Sequence, residues 1–270
     1  AVRGMACSFR CILASAVMTS AVLACGPAAD DQPAADLTPQ PSVAHLTVDV
    51  QGSVGHDDEA FTQGLVYADG DLYESTGKRG RSELRQVATD SAEVLRSTPL
   101  DPELFGEGLA HVDDRLIQLT WTEGRALVYD LDRLTVIDEF TYEGEGWGLC
   151  FDGSRLVMSD GSSTLIFRDP ETFDVLGTVE VSHAGSPVTR LNELECVDGA
   201  VYANIRRSDQ IVRIDPSTGR VDAVIEAGSL ERSSSAGVLN GIAYDPATGL
   251  FRLTGKFWSV AYDVVFVEAE

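Results

Sequence analysis

Five polar or aromatic residues open one recurring phrase in this 270-residue chain. The phrases are Gln63-Gly64-Leu65-Val66-Tyr67, Glu107-Gly108-Leu109-Ala110-His111, Trp147-Gly148-Leu149-Cys150-Phe151, Asn192-Glu193-Leu194-Glu195-Cys196 and Asn240-Gly241-Ile242-Ala243-Tyr244. A second set follows them: Thr76-Gly77, Thr120-Trp121, Asp160-Gly161, Asn204-Ile205-Arg206 and Thr254-Gly255-Lys256-Phe257-Trp258. Brought together, the two sets supply carboxylates, amides, aromatic walls and a lysine, the usual make-up of a small-molecule or peptide pocket. Asp160 offers a second carboxylate, although Ser159-Asp160-Gly161-Ser162 also reads as an ordinary turn. Several other chemistries lack their residues. The sequence has no His-Glu-x-x-His, no cysteine pair at zinc spacing in its folded part, no Gly-x-Ser-x-Gly elbow and no phosphate-cradling Gly-Lys-Thr loop. The four histidines, His45, His56, His111 and His183, fall at non-equivalent repeat positions, which argues against a histidine metal cage and reads them as surface or loop residues.

The elements that must position these residues follow from the same repeat. Leu65, Leu109, Leu149, Leu194 and Ile242 are separated by 44, 40, 45 and 48 residues, a period that belongs to propeller blades or solenoids. From His45 onward the chain consists of short alternating or β-branched runs bounded by turns such as Asp69-Gly70, Asp152-Gly153, Asp198-Gly199 and Thr218-Gly219. Each of the first four repeats holds four such runs. The fifth holds three, and the alternating segment His45-Leu46-Thr47-Val48-Asp49-Val50 is free to supply its fourth strand. The spacing therefore predicts an all-β fold: a five-bladed β-propeller over residues 45–270, with four-stranded blades and the last blade closed by the N-terminal strand. First strands lie nearest the axis of a propeller, so the five opening residues would crowd one end of its channel. The ends of the second strands would return to the same place.

Composition sets outer bounds. The hydrophobic content of 44% is enough for the core of one large domain or two small ones, and the formal charge of −23 disfavours nucleic acid or anionic membrane surfaces as partners. Arg3 and Arg10 precede an apolar run from Cys11 to Leu23, so residues 1–25 read as a secretory leader. The run ends in Val22-Leu23-Ala24-Cys25-Gly26, which resembles a bacterial lipobox with Cys25 as the lipidated residue, and ordinary cleavage is the alternative because Leu23 is bulky for that position. Residues 26–44 read as a flexible tether. An exported protein is implied, periplasmic or held at the outer membrane by a lipid. Cys150 and Cys196 remain in the folded part. One lies a single residue after its anchor and the other two residues after, so strand alternation points them to opposite faces of their sheets, and two free buried thiols are expected.

A family resemblance rests on ordered motifs across nearly all of the chain after residue 44. Phe61-Thr62-Gln63-Gly64-Leu65, Tyr73-Glu74-Ser75-Thr76-Gly77, Phe105-Gly106-Glu107-Gly108-Leu109, Leu119-Thr120-Trp121, Glu145-Gly146-Trp147-Gly148-Leu149, Leu191-Asn192-Glu193-Leu194-Glu195, Leu239-Asn240-Gly241-Ile242-Ala243-Tyr244 and Thr254-Gly255-Lys256 resemble the plant and bacterial glutamine cyclotransferases. The resemblance implies conversion of N-terminal glutamine to pyroglutamate with loss of ammonia, on a five-bladed propeller without metal or cofactor. Its implied partners are peptides or proteins that begin with glutamine, acted on by a monomer. The implied acid/base is Glu107, and the family's pocket positions fall on Phe61, Gln63, Phe105, Trp121, Trp147, Asn192 and Lys256. One position departs: where the family commonly carries tryptophan in a phrase like Ala-Asn-Val-Trp, this chain reads Ala203-Asn204-Ile205-Arg206.

The chemistry suits those residues on its own terms. An α-amine must attack an amide carbon, an oxyanion must be stabilised and a leaving nitrogen must be protonated. A single carboxyl group can serve both proton steps. Glu107 stands between glycines near aromatic walls, where desolvation would raise its pKa. Lys256, Asn192 and Gln63 offer donors to the amide oxygen, and Trp121 and Trp147 would shape the slot. Two other readings use the same residues. One is a calcium-dependent propeller lactonase with Glu107, Asn192, Asn240 and Asp160 as oxygen ligands. The other is a non-catalytic peptide-binding propeller.

Overall fold

The computed structural model describes residues 42–269, so the leader, Cys25 and nearly all of the tether lie outside the described residues. Every regular element within that range is a strand. In chain order these are β1 (Ala44–Gly55), β2 (Thr62–Ala68), β3 (Asp71–Thr76), β4 (Glu83–Val87), β5 (Val94–Pro99), β6 (Gly106–Val112), β7 (Arg115–Thr120), β8 (Arg125–Asp130), β9 (Thr135–Thr141), β10 (Leu149–Phe151) and β11 (Leu156–Met158). There follow β12 (Thr164–Arg168), β13 (Val175–Glu180), β14 (Ser182–His183), β15 (Ser186–Pro187), β16 (Leu191–Val197), β17 (Ala200–Ile205), β18 (Gln210–Asp215), β19 (Arg220–Glu226), β20 (Leu239–Asp245), β21 (Leu250–Gly255) and β22 (Val260–Glu268).

Three blade-like sheets have the orders β2-β3-β4-β5, β6-β7-β8-β9 and β10-β11-β12-β13. A ten-stranded sheet contains the path β16-β17-β18-β19-β1-β22-β21-β20. Its two halves are joined by β1, which pairs antiparallel with β22 and parallel with β19. The alternation read in His45–Val50 has this cause: Val48 is buried among Ile225, Phe251 and Val264. The first strand of each four-strand set is apolar and buried, whereas the fourth strands β5, β9 and β13 carry exposed pairs such as Val94-Leu95, Val136-Ile137 and Val175-Leu176. The buried first strands pack on one another in a cycle. β2 lies against β6, β6 against β10, β10 against β16, β16 against β20, and β20 against β2.

Close packing at the centre explains the glycine that recurs in second place of the phrase. A Cβ on Gly64 would lie 2.6 Å from the Leu109 nitrogen, and one on Gly108 would lie 2.5 Å from the Leu149 nitrogen, both on the next strand of the cycle. The fourth repeat has Glu193 at this place. Its carboxyl group spans the centre, accepting from the Leu65 N–H at 3.2 Å and the Ile242 N–H at 2.9 Å.

The cysteines correct the sequence reading. Cys150 and Cys196 form a disulfide, with Cα atoms 5.5 Å apart, instead of two free thiols. They do point to opposite faces of their own sheets. The sheets are stacked neighbours, however, so the rear face of one meets the front face of the next, and opposite parity in β10 and β16 brings the two sulfurs together. A second feature absent from the sequence reading is the short hairpin β14–β15, which attaches to β19 through Ser182 and Arg220.

Candidate active site

The opening residues stand where the inner strands begin, and the backbone there is irregular. Pairing of β2 with β3 slips between Thr62 and Gly64, β6 with β7 between Gly106 and Leu109, β16 with β17 between Leu191 and Leu194, and β20 with β21 between Leu239 and Ile242. Gln63, Glu107, Asn192 and Asn240 each fall inside such a slip. A bulge at a strand end redirects a side chain that the regular pleat would send into a neighbouring sheet. Repetition of the bulge turns four distant side chains toward a common place. Trp147 lies just ahead of β10, its N–H donating to the Ser159 carbonyl at 2.9 Å.

The eight residues that the resemblance assigns to the site line one pocket of about 120 Å³, whereas Asn240 and Asp160 do not line it. Phe61, Gln63, Phe105, Glu107, Trp147 and Asn192 reach it from the starts of inner strands, and Trp121 and Lys256 from the ends of second strands. Arg206, at the end of β17, completes the lining. In the sequence it belongs to the second set and marks a departure from the family phrase, with no role in the pocket assigned to it.

A directed chain of amides runs through the pocket floor. Asn192 Nδ2 donates to Asn240 Oδ1 at 2.6 Å, Asn240 Nδ2 to Gln63 Oε1 at 3.2 Å, and Gln63 Nε2 to Glu107 Oε1 at 2.6 Å. Asn240 Nδ2 also donates to the Thr62 carbonyl at 3.0 Å. Four of the five opening residues are therefore coupled, with every donor pointing towards Glu107. Among the described residues no donor occupies Glu107 Oε2. Asn240 lies outside the pocket lining yet forms the middle link of the chain.

Aromatic rings wall the pocket. Phe105 packs edge-on to Phe61 at 6.0 Å and to Trp121 at 5.6 Å between ring centres. Glu145 holds the two indoles together, since its Oε2 accepts from Trp121 Nε1 at 2.7 Å and from Trp147 Nε1 at 2.9 Å. Nothing in the sequence marks Glu145 for this role except its separation of two residues from Trp147. Lys256 is 7% exposed, with Nζ 4.5 Å from the centre of the Phe61 ring, within cation–π range.

Burial dominates the electrostatics of the pocket. It pushes Glu107 well above the ordinary glutamate range; the attraction of Lys256 opposes this, and Glu123 and Glu145 add to it. Burial also lowers Lys256 to about 8, against the attraction of Glu107 and with the help of repulsion from Arg206 and Lys78. Burial thus favours the uncharged form of each group, raising the carboxyl group and lowering the ammonium. The four oxygen ligands of the lactonase reading do not converge. Asp160 accepts from the Ser162 N–H at 2.9 Å in its own turn, neither it nor Asn240 lines the pocket, and Asn240 Oδ1 is already taken by Asn192 Nδ2. Among the described residues no three His, Cys, Asp or Glu side chains are grouped to hold a metal.

Fold and site define an all-β protein with a polar, aromatic-walled pocket that presents one desolvated carboxyl group beside one desolvated lysine. The family model described as glutamine cyclotransferase matches residues 17–266, and the chain belongs to that family. It is 39% identical over 230 residues to the glutaminyl-peptide cyclotransferase of Arabidopsis thaliana, covering 82% of this chain and 72% of that protein. The crystal structure of Myxococcus xanthus glutaminyl cyclase superposes with a TM-score of 0.78 at 38% identity, covering 85% of this chain and all of the other.

Proposed function

We propose that the chain is a glutaminyl-peptide cyclotransferase acting on peptides with N-terminal glutamine, built on a five-bladed β-propeller. The cycle of β2, β6, β10, β16 and β20, each leading outward through antiparallel strands, supports five blades, with β1 as the outermost strand of the last. The observation that carries the activity is the amide chain ending on Glu107 Oε1, which leaves Oε2 for the substrate. The α-amine of the bound glutamine attacks the side-chain carbonyl carbon, forming a C–N bond as the carbonyl electron pair moves to oxygen. Glu107 takes the proton shed by the attacking nitrogen and delivers it to the amide nitrogen. The carbonyl then re-forms and ammonia leaves, so Glu107 ends as it began. Lys256 and the second N–H of the Asn192 amide serve the oxyanion. Gln63 orients the carboxyl group. Phe61, Phe105, Trp121 and Trp147 form the slot that holds the side chain folded back on its own amine, where proximity supplies much of the acceleration.

The test is incubation of the purified protein with a glutamine-initiated dipeptide, reading ammonia and the pyroglutamyl product together. Turnover above the spontaneous rate, unchanged by a chelator, is expected. No turnover would reject the activity, and loss on chelation with rescue by calcium would favour the lactonase. The leader pattern supports export with a lipid on Cys25, and recovery of the mature protein without a lipid-modified N-terminus would overturn that part.

A further inference from the structure

Charge is distributed unevenly around the mouth of the pocket. The chain carries −23 overall and has only two lysines, Lys78 and Lys256, each in a Thr-Gly-Lys phrase at the end of a second strand. Both ammonium groups sit at the same aromatic ring, with Lys78 Nζ 4.0 Å and Lys256 Nζ 4.5 Å from the centre of Phe61. Arg206 is the third cation of this group, its guanidinium 5.2 Å from the Trp147 ring. Most arginines of the molecule are neutralised by a neighbouring carboxylate, as Arg79 is by Glu123 and Arg81 by Glu59. Among the described residues, the side chains of Lys78 and Arg206 have neither an ion pair nor a hydrogen bond, and aromatic faces alone hold them. The three cations follow β17, β21 and β3, whose inner partners β16, β20 and β2 are consecutive in the cycle, so they form a continuous arc. The nearby anions are otherwise engaged, Glu145 with two indoles and Glu123 with Arg79.

Lys256 is buried and belongs to the reaction. Arg206 is half-buried and lines the pocket, and Lys78 is exposed over Phe61, a ring of the pocket wall. From this arc we infer that the enzyme selects peptides with an acidic residue directly after the N-terminal glutamine, read by Arg206 and Lys78. The inference rests on the cyclotransferase reading of the pocket. Long-range repulsion from the acidic surface disfavours any anionic peptide, and the two unpaired cations reverse that preference within a few ångströms of the mouth. Partly exposed pairs of this kind support a preference of about three- to tenfold.

The experiment compares C-terminally amidated tripeptides with Asp, Ala or Lys as second residue, in the wild type and in Arg206→Gln, Lys78→Gln and the double variant. The readout is the ratio of kcat/KM for the Asp peptide to that for the Ala peptide within each protein. A wild-type ratio of about three or more, carried by KM, shrinking towards one in the double variant and in high salt, is the expected result. A wild-type ratio at or below one, or a ratio that survives in the double variant, would overturn the inference. Calorimetry with the three pyroglutamyl tripeptides makes the same comparison without turnover. Tighter binding of the Asp product by wild type only, in a protein that cyclises no peptide, would uphold the acidic subsite while rejecting the activity.

Discussion

At the scale of single residues, the site depends on two side chains that burial pushes towards each other. Glu107 is held above its ordinary range and Lys256 below its own, to about 8. A lysine that must be cationic to stabilise an oxyanion stops doing so as the pH passes its pKa, so kcat should fall above about pH 8. Lys256→Arg should shift that alkaline limb upward, because guanidinium keeps its proton there. Lys256→Met should abolish the limb and lower kcat by about 10²-fold or more. A pH–rate profile of the three proteins checks this, and an unmoved limb in Lys256→Arg would assign it to another group. The residue types were legible because this chemistry needs a carboxyl group, donors and aromatic walls at repeating positions. The couplings between them were not. That Asn240 bridges Asn192 to Gln63, and that Glu145 joins two indoles, depends on side-chain directions set by bulges that have no sequence marker of their own.

At the scale of elements, β16 carries two duties beyond the site. Its Glu193 and Glu195 are buried between inner strands and accept backbone N–H groups of β2 and β20. Burial raises Glu195 to about 8 and Glu193 well above the ordinary glutamate range. A raised pKa means that the folded state keeps protons the unfolded chain has released. This contribution to stability is complete below the ordinary glutamate range and is lost as pH rises towards the folded value. The melting temperature should therefore be higher near pH 5 than near pH 8, and Glu195→Gln should flatten the difference. Thermal melts across that range test it; a protein more stable at the alkaline end would contradict it. β16 also holds Cys196, whose bond to Cys150 closes a loop of sequence separation 46. Replacing both by alanine should cost about 2–4 kcal/mol, or roughly 5–15 °C in melting temperature. Neither cysteine lines the pocket, so kcat/KM below the melt should not change. The number of strands in each repeat was legible, since the Asp-Gly and Thr-Gly turns and period-two alternation mark them directly, although β1 runs on to Gly55 and the β14–β15 hairpin carried no signal. The disulfide was not, because alternation describes one sheet whereas pairing across stacked sheets depends on which face meets which.

At the scale of the whole molecule, the chain brings together residues from positions 61 to 256 by packing its inner strands in a cycle and tying the two ends with β1. Val48 lies in the core beneath that closing strand. Val48→Asp should lower unfolding stability by about 3 kcal/mol or more in urea, whereas the same change at exposed Val50 on the same strand should cost far less. Equal effects at the two positions would mean that the closing strand contributes little. The repeat made the cycle legible and its variation at one position made the site legible. The charge arc at the mouth was visible only once the ends of β3, β17 and β21 stood side by side. In the proposed mechanism this architecture presents one desolvated carboxyl group, Glu107, to a folded glutamine side chain. Ammonia release from a glutamine-initiated dipeptide by Glu107→Gln, beside a thermal melt of the same sample, tests it most directly. The expected result is loss of turnover by about 10²–10⁴-fold with a cooperative melt retained; turnover close to that of the wild type in the folded variant would contradict it.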